Sequence, residues 1–410
     1  MIKRMKGINK WCGLWLSLLL LGGCSVAKYI PEGEQFYAGV GKIEYADKGT
    51  GFSDNSKLAR NELESVLNYK PNNSLLGSAK HRLPFSYPFF FDKYYAHSNN
   101  FFGRWLYKTF GEKPILLSEV NPELRATVAE QVLREYGYFH SSVTPEVTIV
   151  GKDSISARPS YHIAMGSPHV LDSINYQLEA LPLQELDSLV HSKRGFLHHE
   201  EPFGVLALEN ERTRISNFLR DRGYYFFQPN HIVYEADTVQ APGKVQLRVL
   251  LSEKMLPEAY RPWHIGSITY EVRDGQNSAL TDSLMVEGVL FKYHKRSPVK
   301  FSSLLPRIGF ESGTLYNQES QIKTLRSMAD LNAFAYTDVA FNRSSNDSIN
   351  NALDIIITSQ LDKPYSTELE GVFRFKSNNQ VGPGLNFSVN RKNIFRGGEM
   401  LTVTARGSYE

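Results

Sequence analysis

Two stretches of this chain nearly copy each other, and their repetition is the strongest constraint on its fold. Leu133-Arg134-Glu135-Tyr136-Gly137-Tyr138-Phe139 and Leu219-Arg220-Asp221-Arg222-Gly223-Tyr224-Tyr225 each end a helix-patterned run and are each followed by strand-patterned residues. A weaker third copy runs Leu325-Arg326-Ser327-Met328-Ala329-Asp330-Leu331. A repeat of roughly 90 residues is too long for a solenoid and suits small modules strung in tandem.

The order of elements around each copy is the same. In the first, residues 42–45 form a short strand, and Leu58, Leu63, Val66 and Leu67 recur at helical spacing before Pro71 stops the helix. Asn121 caps a second helix with Pro122 at its first position and Leu124, Val128, Val132 and Leu133 on one face; Gly137 ends it. Strands at 143–150 and 157–164 follow, joined by Gly151-Lys152-Asp153. The order resumes after Gly166-Ser167-Pro168, with strands at 170–178, 228–234 and 244–251, and again after Pro262, with strands at 263–272, 335–342 and 352–359 and a helix at 317–329. The tyrosines after Gly137 and Gly223 are expected to anchor the chain's re-entry into the core, and Arg134 and Arg220 suit the negative helix end.

Lys3, Arg4, Lys6 and Lys10 precede an apolar run over 11–21 and then Leu21-Gly22-Gly23-Cys24. That run is too short to span a bilayer and reads as a lipoprotein leader, with Cys24 as the lipidated residue. Removing the leader takes its four cations away and moves the formal charge from +3 to −1. A near-neutral chain offers no electrostatic basis for binding nucleic acid. Cys12 leaves with the leader, so neither a disulfide nor a thiolate metal cage remains available.

Beyond Pro364 the pattern changes. Leu369, Gly371, Phe373 and Phe375 alternate with Glu368, Glu370, Arg374 and Lys376, and Leu385, Phe387 and Val389 alternate with Asn386, Ser388 and Asn390. Alternating segments of about ten residues are the signature of an outer-membrane β-barrel, or of a soluble antiparallel hairpin. About three such strands fit before Glu410, and about eight are needed to close a barrel, so the chain reads as truncated early in one. Residues 82–110 carry a dozen aromatics with Lys93, Arg104 and Lys108 among them. This composition suits a membrane interface and also an ordinary packed insertion. His198-His199-Glu200-Glu201 has no metalloprotease spacing and reads as a solvated loop. No catalytic constellation is legible, and no cofactor is expected.

The tandem strand-helix-helix-strand-strand units with Gly-Tyr-Tyr/Phe resemble POTRA domains. The segment Asn390-Arg391-Lys392-Asn393-Ile394-Phe395-Arg396-Gly397-Gly398-Glu399 resembles the early barrel hairpin of the BamA/TamA superfamily. With the lipidated start, the resemblance is to its TamL-like lipoprotein branch. It implies an α+β fold of tandem POTRA-like domains (β-α-α-β-β) and the first strands of an incomplete outer-membrane β-barrel. The expected layout is a leader at 1–23, a tether at 24–35, modules at 36–166, 168–252 and 262–361, and the barrel start at 364–410. The third module has Asp330-Leu331-Asn332-Ala333-Phe334 where the family has its Gly-Tyr-Tyr step.

The implied role is an outer-membrane assembly factor rather than an enzyme, lipid-anchored, with its modules in the periplasm. Its partners would be unfolded outer-membrane protein precursors, outer-membrane lipid and a TamB-like inner-membrane protein. Precursors would add as a strand to exposed sheet edges, because main-chain hydrogen bonds ignore side-chain identity. By resemblance those edges carry Val143, Thr148 and Val150, then Gln228, Ile232 and Tyr234, then Tyr336, Val339 and Phe341. The barrel seam strand carries Leu369, Gly371, Phe373 and Phe375. The rival expectations are a dedicated secretion or transport pore of the same superfamily and a lipid-anchored periplasmic binding module without a barrel.

Overall fold

The computed structural model describes residues 26–46, 54–83, 87–151, 154–181, 189–190, 194–274, 279–344, 351–375 and 381–408. The leader and Cys24 lie outside them. The chain divides into two compact units, one of Met1–Ile174, Phe196–Glu209 and Ala236–Leu247, the other of Asn175–Gly195, Asn210–Glu235 and Arg248–Glu410. The fold is mixed α+β, built from repeated strand-helix-strand-strand modules and a terminal antiparallel sheet.

In the first unit the elements run β1 (Phe36–Tyr37), β2 (Ile43–Tyr45), α1 (Asp54–Leu67), α2 (Tyr87–Tyr95), α3 (Phe101–Phe110), α4 (Leu117–Val120), α5 (Pro122–Glu135), β3 (Ser142–Val150) and β4 (Ser156–Ala164). β4 is central: β1 and β2 lie parallel to it, and β3 pairs antiparallel along its other side. Asn121 begins α5 as expected, its side chain accepting from the Leu124 N–H at 3.1 Å.

The helices are rotated from the faces that the largest apolar residues suggest. Ala126, Ala129, Val132 and Leu133 of α5 are buried, as are Ala59, Leu63 and Leu67 of α1, while Leu58 (54%), Leu124 (58%) and Val128 (37%) remain exposed. Ala59, Ala126 and Ala129 leave room for two helices and a sheet to share one core with Leu63, Leu67, Leu133, Tyr138, Tyr161 and Ile163; a leucine at each alanine position would overfill it.

β5 (Val170–Gln177), α6 (Val205–Arg220), β6 (Ile232–Asp237) and β7 (Lys244–Leu251) follow, with sheet order β5-β7-β6. The segment His198 to Glu201 is an exposed turn that pairs with the start of β5 through two backbone bonds with Leu171, each 2.8 Å.

The second unit holds β8 (His264–Arg273), β9 (Asp282–Val286), β10 (Val289–Tyr293), α7 (Phe301–Leu304), α8 (Gln318–Ala329), β11 (Phe334–Arg343) and β12 (Ala352–Leu361), in sheet order β11-β12-β8-β10-β9. The β9–β10 hairpin is an addition to the repeat that element counting misses. Its sequence signal is the two-residue turn Glu287-Gly288, both at positive φ, between apolar strands. The core gathers Tyr270, Phe291, Tyr316, Met328, Leu353 and Ile355, and the buried Tyr270 hydroxyl is satisfied by Ser359 Oγ at 2.6 Å.

β13 (Tyr365–Phe375), β14 (Val381–Lys392) and β15 (Met400–Ser408) form the terminal antiparallel meander. Register aligns Leu369 with Phe387 and Ala405, and Thr367 with Val389 and Val403, on one face. Glu370, Asn386, Ser388, Asn390, Thr402 and Thr404 line the other face, where Asn386 Nδ2 donates to Glu370 at 2.9 Å and Ser388 pairs with Thr404 at 2.9 Å. The alternation read from sequence thus becomes a sheet with one apolar and one polar face. Leu369 (66%), Leu385 (53%) and Val403 (64%) stand exposed on the apolar one.

Candidate strand-docking edges and the joints behind them

Which backbone groups an edge strand leaves free follows from the parity of its ladder. Pro145 lies opposite Tyr161, and Val147 opposite Pro159. Neither proline can donate, so these are non-bonded pairs, and the outward groups on β3 belong to Val143, Pro145, Val147 and Ile149. Thr148 and Val150 direct their main chain inward to β4. Of the outward positions, Val143 N–H already donates to Glu130 Oε1 at 2.9 Å, and Pro145 has none. Two donors remain, at Val147 and Ile149, so this edge is blunted.

β11 is the contrasting case. Ser344 N–H donates to Ala352 O at 3.0 Å, which sets the parity: Thr337, Val339, Phe341 and Arg343 turn their N–H and C=O groups away from β12. None of these four bonds another backbone group among the described residues. Tyr336 points its main chain inward. Val339 is only 8% exposed and Phe341 packs on Tyr225, Tyr316 and Phe310, so this edge presents main chain, with the side chains committed to the core.

β6 is a terminal strand of its sheet, but it starts at Ile232 rather than at residue 228. Gln228 precedes a 3₁₀ turn, Pro229–His231, because Pro229 fixes φ and lacks a donor. Ile232 is buried and Tyr234 lies on the strand, its ring under the Arg212 guanidinium at 5.1 Å.

On β13, Lys392 N–H donates to Pro364 O at 2.9 Å, leaving Tyr365, Thr367, Leu369, Gly371, Phe373 and Phe375 with outward main-chain groups. All four seam residues read from sequence fall in this set. It is the longest free edge among the described residues for which the register is known.

The repeated motif itself builds joints. Gly137 O accepts from His169 N–H at 2.9 Å, and His169 O accepts from Phe203 N–H at 2.9 Å. The same relay recurs as Gly223 O from Trp263 N–H and Trp263 O from Tyr316 N–H, both 2.8 Å. Both glycines have positive φ (86° and 96°). A Cβ on Gly137 would lie 2.9 Å from Phe203 O, and one on Gly223 would lie 3.0 Å from Leu315 and Pro262. The two rings after each glycine divide the work: Tyr138 and Tyr224 are buried at home, while Phe139 reaches Phe203 at 5.3 Å and Tyr225 reaches Tyr316 at 5.0 Å. Arg220 follows the second ring, donating to the Tyr316 hydroxyl at 3.0 Å, rather than serving only the helix end. At the first joint burial, and then the neighbouring His140, push the pKa of His169 down.

The third copy inverts the arrangement. Leu331, where the glycine motif has degenerated, is buried, and the glycine stands on the docking loop instead: a Cβ on Gly398 (φ 86°) would lie 2.3 Å from Leu331 Cδ2. The loop is held by Asn393 Nδ2 to Pro298 O at 3.0 Å, Lys300 N–H to Arg396 O at 2.8 Å and Arg396 to Ser297 O. Lys392 bonds Asp362, holding that carboxyl below the usual range, and Glu399 is likewise lowered by backbone N–H donors, its own first and then Gly397 and Phe395. A cavity of about 420 Å³ lies beside this latch, lined by Asp362, Tyr365, Lys392 and Asn393 among others.

Among the described residues no three His, Cys, Asp or Glu side chains gather as metal ligands, and no helix is long and apolar enough to cross a membrane.

No protein-family model and no curated protein matches the sequence. Among solved structures, the chain is similar to POTRA domains 3–5 of BamA from Haemophilus influenzae (12% identity, TM-score 0.37), covering 81% of this chain and 99% of that one. BamA from Haemophilus ducreyi lacking POTRA domains 1–3 is similar at 13% identity and TM-score 0.36, covering 59% of this chain and 37% of that chain. CdiB from Acinetobacter baumannii follows at 13% and 0.27, covering 58% of this chain and 38% of that chain.

Proposed function

We propose that the chain is part of an outer-membrane assembly factor of the BamA/TamA superfamily, in its lipoprotein branch, anchored through Cys24 with its modules in the periplasm. Extended segments of unfolded β-barrel precursors add to β11 and pass to the free edge of β13. The role is one of binding rather than catalysis, and a TamB-like protein is the expected inner-membrane partner. One observation carries this reading: the main-chain groups at alternate residues of β11 and β13 that find no partner among the described residues, against the blunted edge of β3. Unpaired groups on β13 would be costly in lipid and are satisfied when an incoming strand pairs with them.

The test separates main chain from side chain. Val339→Pro removes an outward N–H that β12 does not use, whereas Val339→Ala keeps that N–H and loses comparable packing. Crosslinking to a peptide from a barrel precursor is expected to fall with the proline and persist with the alanine; equal binding by both variants would refute edge addition at β11. Depletion followed by an outer-membrane proteome then distinguishes the superfamily roles. Loss of many barrel proteins supports assembly, and loss of one exported protein would instead mean a dedicated pore.

A further inference from the structure

The aromatic segment is packed on one side only. Gly103 seats α3 against α2, since a Cβ there would lie 2.1 Å from Ser98 Oγ and 3.1 Å from the Tyr95 ring. Phe101 and Trp105 lie nearly half a helical turn from it, with Phe102 at their flank: they are 81%, 47% and 65% exposed, with Arg104 and Lys108 exposed beside them. Phe90 and Tyr94, one turn apart on α2, add two more half-exposed rings. The five rings leave on the order of 500 Å² of aromatic surface facing solvent, taking about 200 Å² per side chain. A patch of this size is about the largest that a typical soluble monomer carries, and such patches often mark an interaction site.

The other side of α2 shows where this patch sits. Phe89 is buried against Phe36 and Tyr29, with ring centroids 5.6 and 6.2 Å apart, and Lys93 Nζ donates to Lys28 O at 3.0 Å. The turn Val26–Tyr29 is therefore fastened to the base of the helical hairpin. Cys24 stands two positions earlier in the sequence, a reach of at most about 7 Å from Val26. A bilayer that holds acyl chains on Cys24 would therefore lie within reach of the hairpin. A Trp-Tyr-Phe face rimmed by Lys and Arg matches the chemistry of a bilayer interface, where rings lie at headgroup depth and cations meet phosphates.

We infer that the α2–α3 hairpin is a second membrane anchor, its Phe101-Phe102-Trp105 face lying in the interface of a phospholipid bilayer with anionic headgroups. As a second anchor it rests on the proposed attachment through Cys24, but its own lipid contact is independent of both that attachment and strand addition at β11, and the lipid-free chain tests it separately. It also supplies the second signal that a lipid chain needs for stable attachment.

The experiment uses the chain from Val26 to Glu410, which retains every core described above and carries no lipid. Of the four tryptophans, Trp11 and Trp15 are absent from it, Trp263 is 3% exposed and Trp105 is the exposed reporter. Vesicles of phosphatidylethanolamine with a minority of phosphatidylglycerol are expected to shift Trp105 emission to the blue, and dibrominated acyl chains to quench it. Phe101→Ser with Phe102→Ser is expected to weaken vesicle binding roughly tenfold. A Trp105→Phe chain, reporting from Trp263 alone, verifies the fold and should show no quenching. Vesicle flotation with Trp105 unquenched would place the lipid contact elsewhere, for instance on the β13–β15 face, and overturn the inference. So would concentration-dependent burial of Trp105 without vesicles, which would make the patch an interface between two copies.

Discussion

Replacing Gly137 with alanine tests whether the repeated motif is a rigid joint or only a helix stop. Holding an L-residue at φ 86° costs about 1–2 kcal/mol. The new Cβ also meets the Phe203 carbonyl oxygen at 2.9 Å. That oxygen is backbone, and relieving the overlap costs a further ~1–3 kcal/mol, for a total of about 2–5 kcal/mol. Gly243→Ala is the matched control: its φ is 74°, and nothing lies within 4 Å of its Cβ. It should lose only the conformational part, about 1–2 kcal/mol. Denaturant titration gives the totals, and amide hydrogen exchange at His169, whose N–H bonds Gly137 O, reports whether the joint itself opens. If the two alanine variants lose the same stability, or His169 exchanges no faster in Gly137→Ala, then the Phe203 contact does not constrain the chain and the joint is no joint.

Two further outcomes follow from charged groups. Glu211 is fully buried with Arg214 at 2.6 Å and the Tyr176 hydroxyl at 2.8 Å; Glu211→Ala leaves the guanidinium with too few partners and should cost about 3–5 kcal/mol in chemical denaturation. At the latch, Asp362 and Glu399 titrate below the ordinary carboxylate range when folded, so they favour docking of the loop above about pH 4 and lose that contribution as pH falls through their depressed values. Protection against hydrogen exchange at Lys300 and Gly398, taken relative to the intrinsic rate at each pH, is expected to fall on acidification in that window, and Asp362→Asn should remove most of the Asp362 share; a flat protection profile would contradict the latch.

The sequence made the repeat, the Asn121 cap and the two-faced terminal sheet legible because each rests on local spacing. The rotation of α1 and α5 was partly hidden: Leu63, Leu67, Val132 and Leu133 are buried as their spacing suggests, yet hydrophobicity ranks Leu124 above Ala126, and it is Ala126 that enters the core. Gln228 was misplaced by four positions because Pro229 starts a turn where the apolar pattern continues. Edge parity needs register, which is a tertiary property, although Pro145 within a strand pattern already marked β3 as an edge. The aromatic segment offered two readings, and the structure shows a feature of each: Phe89 packs into a core with Phe36, while Gly103 turns its bare face inward and leaves Phe101 and Trp105 outside.

The inverted third joint carries a consequence for the order of folding. At the first two joints the groups that meet belong to neighbouring modules in the chain, so each can set as soon as the next module emerges. Leu331 must wait for Gly398, beyond the whole β13–β14 hairpin. The contact spans about as much chain as Gly137 to Phe203 and less than Gly223 to Leu315, so chain length does not slow it; what delays it is position, since the three modules can dock to one another before residue 398 exists, and the terminal sheet seats only after them.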